Sequence, residues 1–554
     1  MTTSAIATVA GAAARSNSGT RNVLEMVNTV YESMVGLLGR MNPNRDPEGV
    51  LQCVRKAALF AWDWHPGRYA DGALENVALK IGADLERHCG TRILGTRGPD
   101  MPPRTRERHV LHVATSLRAV GGHTRLIINW VRTDTRSQHS ILVTEQGTHP
   151  MPDWAAEAVA NTGGSIVVLP SDAPLLAKAL WARRCAAQDV DLVLLHHHGH
   201  DVVPTVAYAT TSSPTVAVLN MADHLFWLGS GVADAVVNCR RAGQELSERR
   251  RFTRRNVILP LPLSPAPAQD IRAEARARLS IPDSQVVLLS IGWRHKYRPT
   301  STHNFFRTAA AILEQNPDAH VYLIGPGPKE VQEYTLGNVH PRLHALGVQE
   351  ELAAYHAAAD IYLEGFPLTS PTALLEVARR GVACVGAIAP QSEVLGIDDL
   401  ALSGVLPIPT GDGQYVETVS RLIRDPEERS RLGRTLQQRV EMYHCGDGWL
   451  SRLEPIYAAL AALGHCPTSI PPAQFQATND DSGRSLLEGE KSDWFHLLQR
   501  MQVDFKYFLP AGLIPVMRTS RRFRDVAWGE WYARLWAHLL KHWVLYRLGC
   551  PPHA

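Results

Sequence analysis

Glu364-Gly365-Phe366-Pro367-Leu368-Thr369-Ser370-Pro371-Thr372-Ala373-Leu374-Leu375-Glu376 follows an apolar run, Ala359-Asp360-Ile361-Tyr362-Leu363, and opens a periodic stretch from Ala373 to Arg380. An apolar run, a turn punctuated by Gly and Pro, and a periodic segment predict strand, loop, helix. Ser370 suits the N-cap, and Pro371 suits the first helical position, where its missing N–H costs nothing. The amides behind them would face an open loop at the positive end of a helix dipole, a ready site for a phosphate. Glu376, one turn in, would lie beside that anion and accept hydrogen bonds from a sugar's hydroxyls. The same residues also suit a plain strand–helix junction that binds nothing.

The alternation extends in both directions. Upstream, β-rich runs at His109–Thr115, Ser140–Gln146, Ser165–Pro170, Asp191–His196, Thr215–Asn220, Ala235–Asn238 and Val257–Pro262 are separated by periodic segments such as Pro174–Ala187 and Arg240–Phe252. Such alternation predicts a parallel, doubly wound sheet. A proline-rich link, Pro260 to Pro267, precedes a second series: Val286–Gly292, His320–Gly325, Ala359–Leu363 and Ala383–Ala387 as strands, with Thr302–Gln315 as a helix. The fold class is therefore α/β, with two Rossmann-like domains facing across a cleft and helical extensions at both ends. The expected boundaries are a disordered tail at 1–21, a helical accessory domain at 22–107, an N-terminal Rossmann-like domain at 108–264, a C-terminal one at 265–463, and a helical, Trp-rich extension at 464–554.

Composition bounds the function. The chain has 554 residues, 45% hydrophobic and 20% charged, which suits an ordinary soluble protein of several domains. Lys plus Arg number 57 against 54 for Asp plus Glu, a balance that argues against a nucleic-acid binder. The eight cysteines are scattered with no CxxC pair, which suits reduced thiols in a cytoplasm rather than disulfides or zinc. Trp528, Trp531, Trp536 and Trp543, close to Arg534, Lys541 and Arg547 and preceded by the basic run Arg518 to Arg524, would either pack on a neighbouring domain or touch an anionic membrane surface from the cytoplasmic side.

Three further segments carry chemistry. Gly121-Gly122-His123-Thr124 follows the first strand of the first half, where glycines let the backbone approach a ligand. Gly292-Trp293-Arg294-His295-Lys296-Tyr297-Arg298-Pro299 ends the first strand of the second half, and its cations could neutralise a diphosphate. Asp223 and His224 follow a strand that faces the cleft, as an acid–base candidate or a structural pair. In His196-His197-His198-Gly199-His200-Asp201 only His196 and His198 share a face of a strand, so no metal site is expected there.

Together these segments resemble the GT-B glycosyltransferases, over roughly residues 108–463. The resemblance implies a C-terminal half that grips a nucleotide diphosphate sugar and an N-terminal half that presents the acceptor. It places Lys296 as the phosphate-binding cation, with Arg294 beside it. It places Thr369, Ser370 and Thr372 at the hydroxyl-rich helix start, Glu376 on the ribose, Gly121 and Gly122 in the N-terminal glycine loop, and Gly325 in the turn Gly325-Pro326-Gly327-Pro328. Many retaining members carry two glutamates eight positions apart, whereas here Leu368 stands eight before Glu376 and Glu364 stands twelve before it. The segment is closer to the Phe-Pro-x(4)-Thr-x(3)-acid form of O-GlcNAc-transferase-like and related bacterial members. The expected function is metal-independent transfer of a sugar to an acceptor, a glycan, lipid or protein, with no cofactor besides the donor. His224 with Asp223 is the acceptor-side candidate. A nucleotide-sugar epimerase or a non-catalytic binding module on the same fold are the alternatives.

Overall fold

The computed structural model describes residues 24–481, apart from residues 26, 96–97, 265–271, 301, 389–394 and 479. Two parallel sheets organise it. The first contains β1 (Arg108–Ala114), β2 (Ser137–Val143), β3 (Ile166–Val168), β4 (Leu192–His196), β5 (Thr215–Asn220), β6 (Ala235–Asn238) and β7 (Asn256–Ile258), in the order β3-β2-β1-β4-β5-β6-β7. The second contains β8 (Val286–Ile291), β9 (Ala319–Ile324), β10 (Leu343–Ala345), β11 (Ile361–Leu363) and β12 (Ala383–Val385), in the order β10-β9-β8-β11-β12. Chain order reverses between β1 and β4 and between β8 and β11. A crevice opens at such switch points, outside the carboxyl ends of the strands.

The central strands β1, β2, β4, β5 and β6 are buried on both faces, as helix-covered parallel sheets require. β2 starts three residues before the expected Ser140, because its polar start is satisfied internally. Asp134 accepts from the Ser137 amide at 3.3 Å, and Thr162 Oγ1 accepts from the His139 amide at 3.0 Å. β10 has no counterpart in the sequence reading, since three residues with a central histidine carry too little apolar pattern.

The N-terminal helices, residues 27–38, Pro47–Trp64 and Gly72–Ala83, do not stand apart as an accessory domain. Tyr31, Leu51, Phe60 and Leu79 share one hydrophobic core with Leu111 and Val113 of β1 and Val193 of β4. The opposite face of that sheet is covered by a helix that follows the second half in sequence. Trp449, Leu453 and Tyr457 of Gly446–Ala461 pack against Val110, Trp130 and Leu194. Trp130 donates its indole N–H to Tyr457 at 2.8 Å, and Trp449 donates to the Pro260 carbonyl at 2.7 Å. Residues 446–461, expected in the C-terminal domain, therefore pack on the N-terminal one.

The chain crosses between the halves twice, side by side. Leu263 donates its amide to the His444 carbonyl at 2.8 Å, and His444 Nδ1 bonds the Leu261 carbonyl at 2.7 Å. Beyond the helix Gly446–Ala461, residues 463–478 form neither helix nor strand. Their backbone is satisfied by the first half: Thr468 donates to Gly231 at 2.8 Å, and Ile470 to Asn76 at 3.0 Å. The remainder of the expected Trp-rich extension, residues 482–554, and the tail at 1–21 lie outside the described residues. Among the described residues no helix is long and apolar enough to cross a membrane.

Candidate active site

The carboxyl ends of β1 and β8 face one another across a cavity of about 440 Å³. Gly121, Gly122 and Arg125 line it from the first half, and Gly292, Lys296, Gly325, Ser370, Thr372 and Glu376 from the second.

Two of the glycines, Gly325 and Gly292, are dictated by space. Gly325 has φ +116°, and a Cβ there would stand 1.8 Å from the Gly292 carbonyl oxygen. A Cβ on Gly292 would stand 2.7 Å from Ser370 Oγ. Gly121 has φ +126°, which only glycine adopts without strain. A Cβ on Gly122 would lie 3.7 Å from Thr372 Oγ1, so the two halves nearly touch at this point.

Lys296 lies on a 3-10 turn, Arg294–Tyr297, whose three-residue period sends Trp293 and Lys296 into the cleft together. The same period turns Arg294 outward, where it meets Glu330 at 3.6 Å and is two-thirds exposed. Arg294, expected beside the phosphates, does not line the cavity. Lys296 Nζ donates to the Thr369 carbonyl at 2.7 Å and to Ser370 Oγ at 3.2 Å. Burial lowers its pKa, against the pull of Glu364. Glu364 is wholly buried and raised by desolvation. One of its oxygens accepts from the Ser370 amide and the other has no hydrogen-bond partner.

Ser370 occupies the N-cap of Pro371–Ala378 as expected, with Pro371 next, but its hydroxyl does not cap the helix. It accepts from Lys296 instead. Thr369 contributes its carbonyl to Lys296 and turns its hydroxyl toward Leu395, so Thr372 and Ser370 carry the hydroxyls that face the cleft. Glu376 reaches across to Arg125 at 3.8 Å and is raised by desolvation. Arg125 was not anticipated. It stands one turn after Gly122, and the i, i+3 relation on one helix face was the available signal.

Asp223 and His224 are not brought into the cavity. Arg240 clamps Asp223 with two bonds, at 2.6 and 2.8 Å, and holds its carboxyl far below the usual range despite burial. Arg240 also reaches the Gly396 carbonyl at 2.5 Å, tying the loop to the second half. His224, 3.5 Å from Asp223, is one-third exposed.

In the histidine-rich stretch, the His196 and His197 rings bond within the first half. His196 pairs with His112, and His112 with His139, each at 2.9 Å, while His139 meets Asp134 at 3.3 Å. Among the described residues no group of three or more His, Cys, Asp or Glu is placed to hold a metal ion.

Residues 285–425 match the family of glycosyl transferases group 1. The chain thus carries a group 1 glycosyltransferase domain at residues 285–425, and its two parallel sheets fit two Rossmann-like domains. Similar solved structures include a Thermobaculum terrenum O-GlcNAc transferase mutant, 17% identical over 79% of this chain and 82% of that one, with TM-score 0.45. Anabaena HepE in complex with UDP and glucose is 13% identical over 64% of this chain and 100% of that one, with TM-score 0.47. A Rickettsia africae glycosyltransferase is 10% identical over 64% and 99%, with TM-score 0.48. The comparison with curated proteins gives no match.

Proposed function

We propose that this transferase moves a sugar from a nucleotide diphosphate sugar to an acceptor, with protein groups rather than a metal stabilising the leaving nucleoside diphosphate. The observation that carries this reading is the convergence, on one cavity, of the Lys296 ammonium, the start of the helix Pro371–Ala378 and four glycines.

The chemistry follows from the donors available there. Lys296 has three N–H groups, of which two are engaged, so one remains for an anion. Pro371 has no N–H and Leu374 already donates to the Ser370 carbonyl, which leaves the amides of Thr372 and Ala373 as N-terminal donors of the helix. As the sugar–phosphate bond breaks, negative charge grows on the diphosphate. Prepositioned donors in a site shielded from water stabilise that charge more in the transition state than in the ground state. Glu376, at the wall of the same cavity, accepts from the ribose diol once it leaves Arg125.

A panel of nucleotide sugars incubated with the protein and followed by mass spectrometry tests the reading. Release of nucleoside diphosphate, with the sugar on an acceptor or on water, is the expected result. An isomerised nucleotide sugar with no diphosphate released, or binding with no turnover, would overturn it.

A further inference from the structure

A second cavity of about 410 Å³ adjoins the first. Arg125, Trp154, Glu376 and the loop Glu350–Leu352 form the wall between them. Its remaining lining includes the cations Arg132 from the first half and Arg379 and Arg380 from the second, with the neutral side chains of His356, Asn129 and Ser264.

Two buried side chains there each keep one nitrogen without a hydrogen-bond partner. Arg379 is 8% exposed. It donates from Nη1 to the Ser264 carbonyl, but its Nε has no hydrogen-bond partner. Among the described residues no Asp or Glu forms an ion pair with it. His356 is 5% exposed and its Nε2 is equally without a partner. Burial first, then Arg380, Arg125 and Arg379, press the His356 pKa down to about 3, which reports the positive field inside this cavity. The acids of the lining do not cancel that field at depth. Glu350 and Glu351 are exposed at the rim, and the partly buried Glu376 is shared among Arg125, Arg379 and Arg380. Buried positive charge that outnumbers its counter-charge is costly, and so is a buried polar atom without a hydrogen bond. An anion in the cavity relieves both.

We propose that this second cavity binds a phosphate-class anion, held by Arg379 and His356 at its floor and by Arg132 at its mouth. The site goes beyond the donor reading and does not depend on it. The anion is either a free phosphate or small phosphate ester, or an additional phosphoryl group on the nucleotide itself. Because Arg125 lines both cavities, an anion here draws it away from Glu376 and couples the two sites.

Calorimetric titration of inorganic phosphate into the full chain, alone and saturated with nucleoside diphosphate, tests the proposal. Phosphate is expected to bind in both states, and Arg132→Gln to weaken it by about tenfold, the loss of one charge-assisted bond. Nucleoside diphosphate affinity measured without phosphate stays unchanged in that variant. Arg132 is exposed, so its substitution leaves the fold intact. Arg379→Gln abolishes phosphate binding, with thermal unfolding checking its fold because the bond to Ser264 is also lost. Displacement of phosphate by a nucleotide with an extra ribose phosphate, and not by the plain diphosphate, assigns the second source; retention against both assigns the first. Phosphate binding that is absent, is insensitive to Arg132→Gln, or is fully displaced by the plain diphosphate would overturn the proposal. If no nucleoside diphosphate binds at all, the donor reading falls, and the phosphate titration still judges this cavity.

Discussion

Replacing Lys296 by methionine keeps most of the side chain's stem and removes its charge. Two of its three donors already hold the Thr369 carbonyl and Ser370 Oγ, so a single N–H is left for the diphosphate. One hydrogen bond to a charged group is worth about 1.5–3 kcal/mol, which corresponds to roughly 10–100-fold in affinity. The substitution has a second effect. It strips the buried Glu364 of the cation that opposes its desolvation, so the loop that carries Ser370 is disturbed as well. The double variant Lys296→Met/Glu364→Gln separates the two, since it leaves no unpaired carboxylate beneath the loop. Isothermal titration with nucleoside diphosphates is the assay. Both variants are expected to bind roughly 10–100-fold more weakly than the parent chain. Full recovery of affinity in the double variant would mean that the lysine only supports the loop. Unchanged affinity in Lys296→Met, for every diphosphate that binds, would remove it from the site.

Transfer activity is expected to survive EDTA; complete loss, with rescue by Mg²⁺ or Mn²⁺, would refute a mechanism run by protein groups alone. Glu376→Gln is expected to weaken a ribonucleotide ligand more than its 2′,3′-dideoxy analogue, because only the diol senses the loss of the charged acceptor; equal losses in titrations of the two would assign Glu376 to the helix and to Arg125. Glu75, buried under the Ser230–Gly231 amides, is raised from 4.5 to about 7 by desolvation. The folded protein therefore holds the Glu75 proton more tightly than the unfolded chain, so this group's stabilising contribution is full below about pH 4.5 and falls by about 3 kcal/mol as the pH rises through 7. Glu75→Gln should flatten that fall in denaturant titrations across the pH range, and an unchanged slope would show that Glu75 ionises as freely in the folded state as in the unfolded one.

The donor half was legible because its signals are local. The strand, loop and helix around Ser370 and Pro371, and the turn at Gly292–Lys296, each lie within a dozen residues, and periodicity and Gly/Pro punctuation report them directly. What escaped depends on partners distant in sequence. Asp223 reads as half of an acid–base pair until Arg240, seventeen residues on, is seen to clamp it. The second strand reads as starting at Ser140 because Ser137 to His139 carry a polar pattern, and the Thr162 hydroxyl that satisfies the His139 amide comes from another element. Arg294 and Lys296 look equivalent in sequence, and only the three-residue turn sends one into the cleft and the other to Glu330. The helical N-terminus reads as a separate unit because periodicity shows that a helix has an apolar face, not which surface covers it.

The paired crossings at Leu263 and His444 set the mechanics of the molecule. Two adjacent attachments, bonded to one another, define a line, and any motion that preserves both bonds leaves the halves a single rotational degree of freedom about it. The same return crossing governs dissection. A fragment ended at Ser264 lacks Trp449, Leu453 and Tyr457, and so exposes the face of its sheet that carries Val110, Trp130 and Leu194. A fragment begun at Arg272 carries those three side chains with nothing to bury them. The two halves are thus autonomous in topology and interdependent in solubility, and co-expression of the pieces, rather than either alone, is the form in which a split protein reassembles.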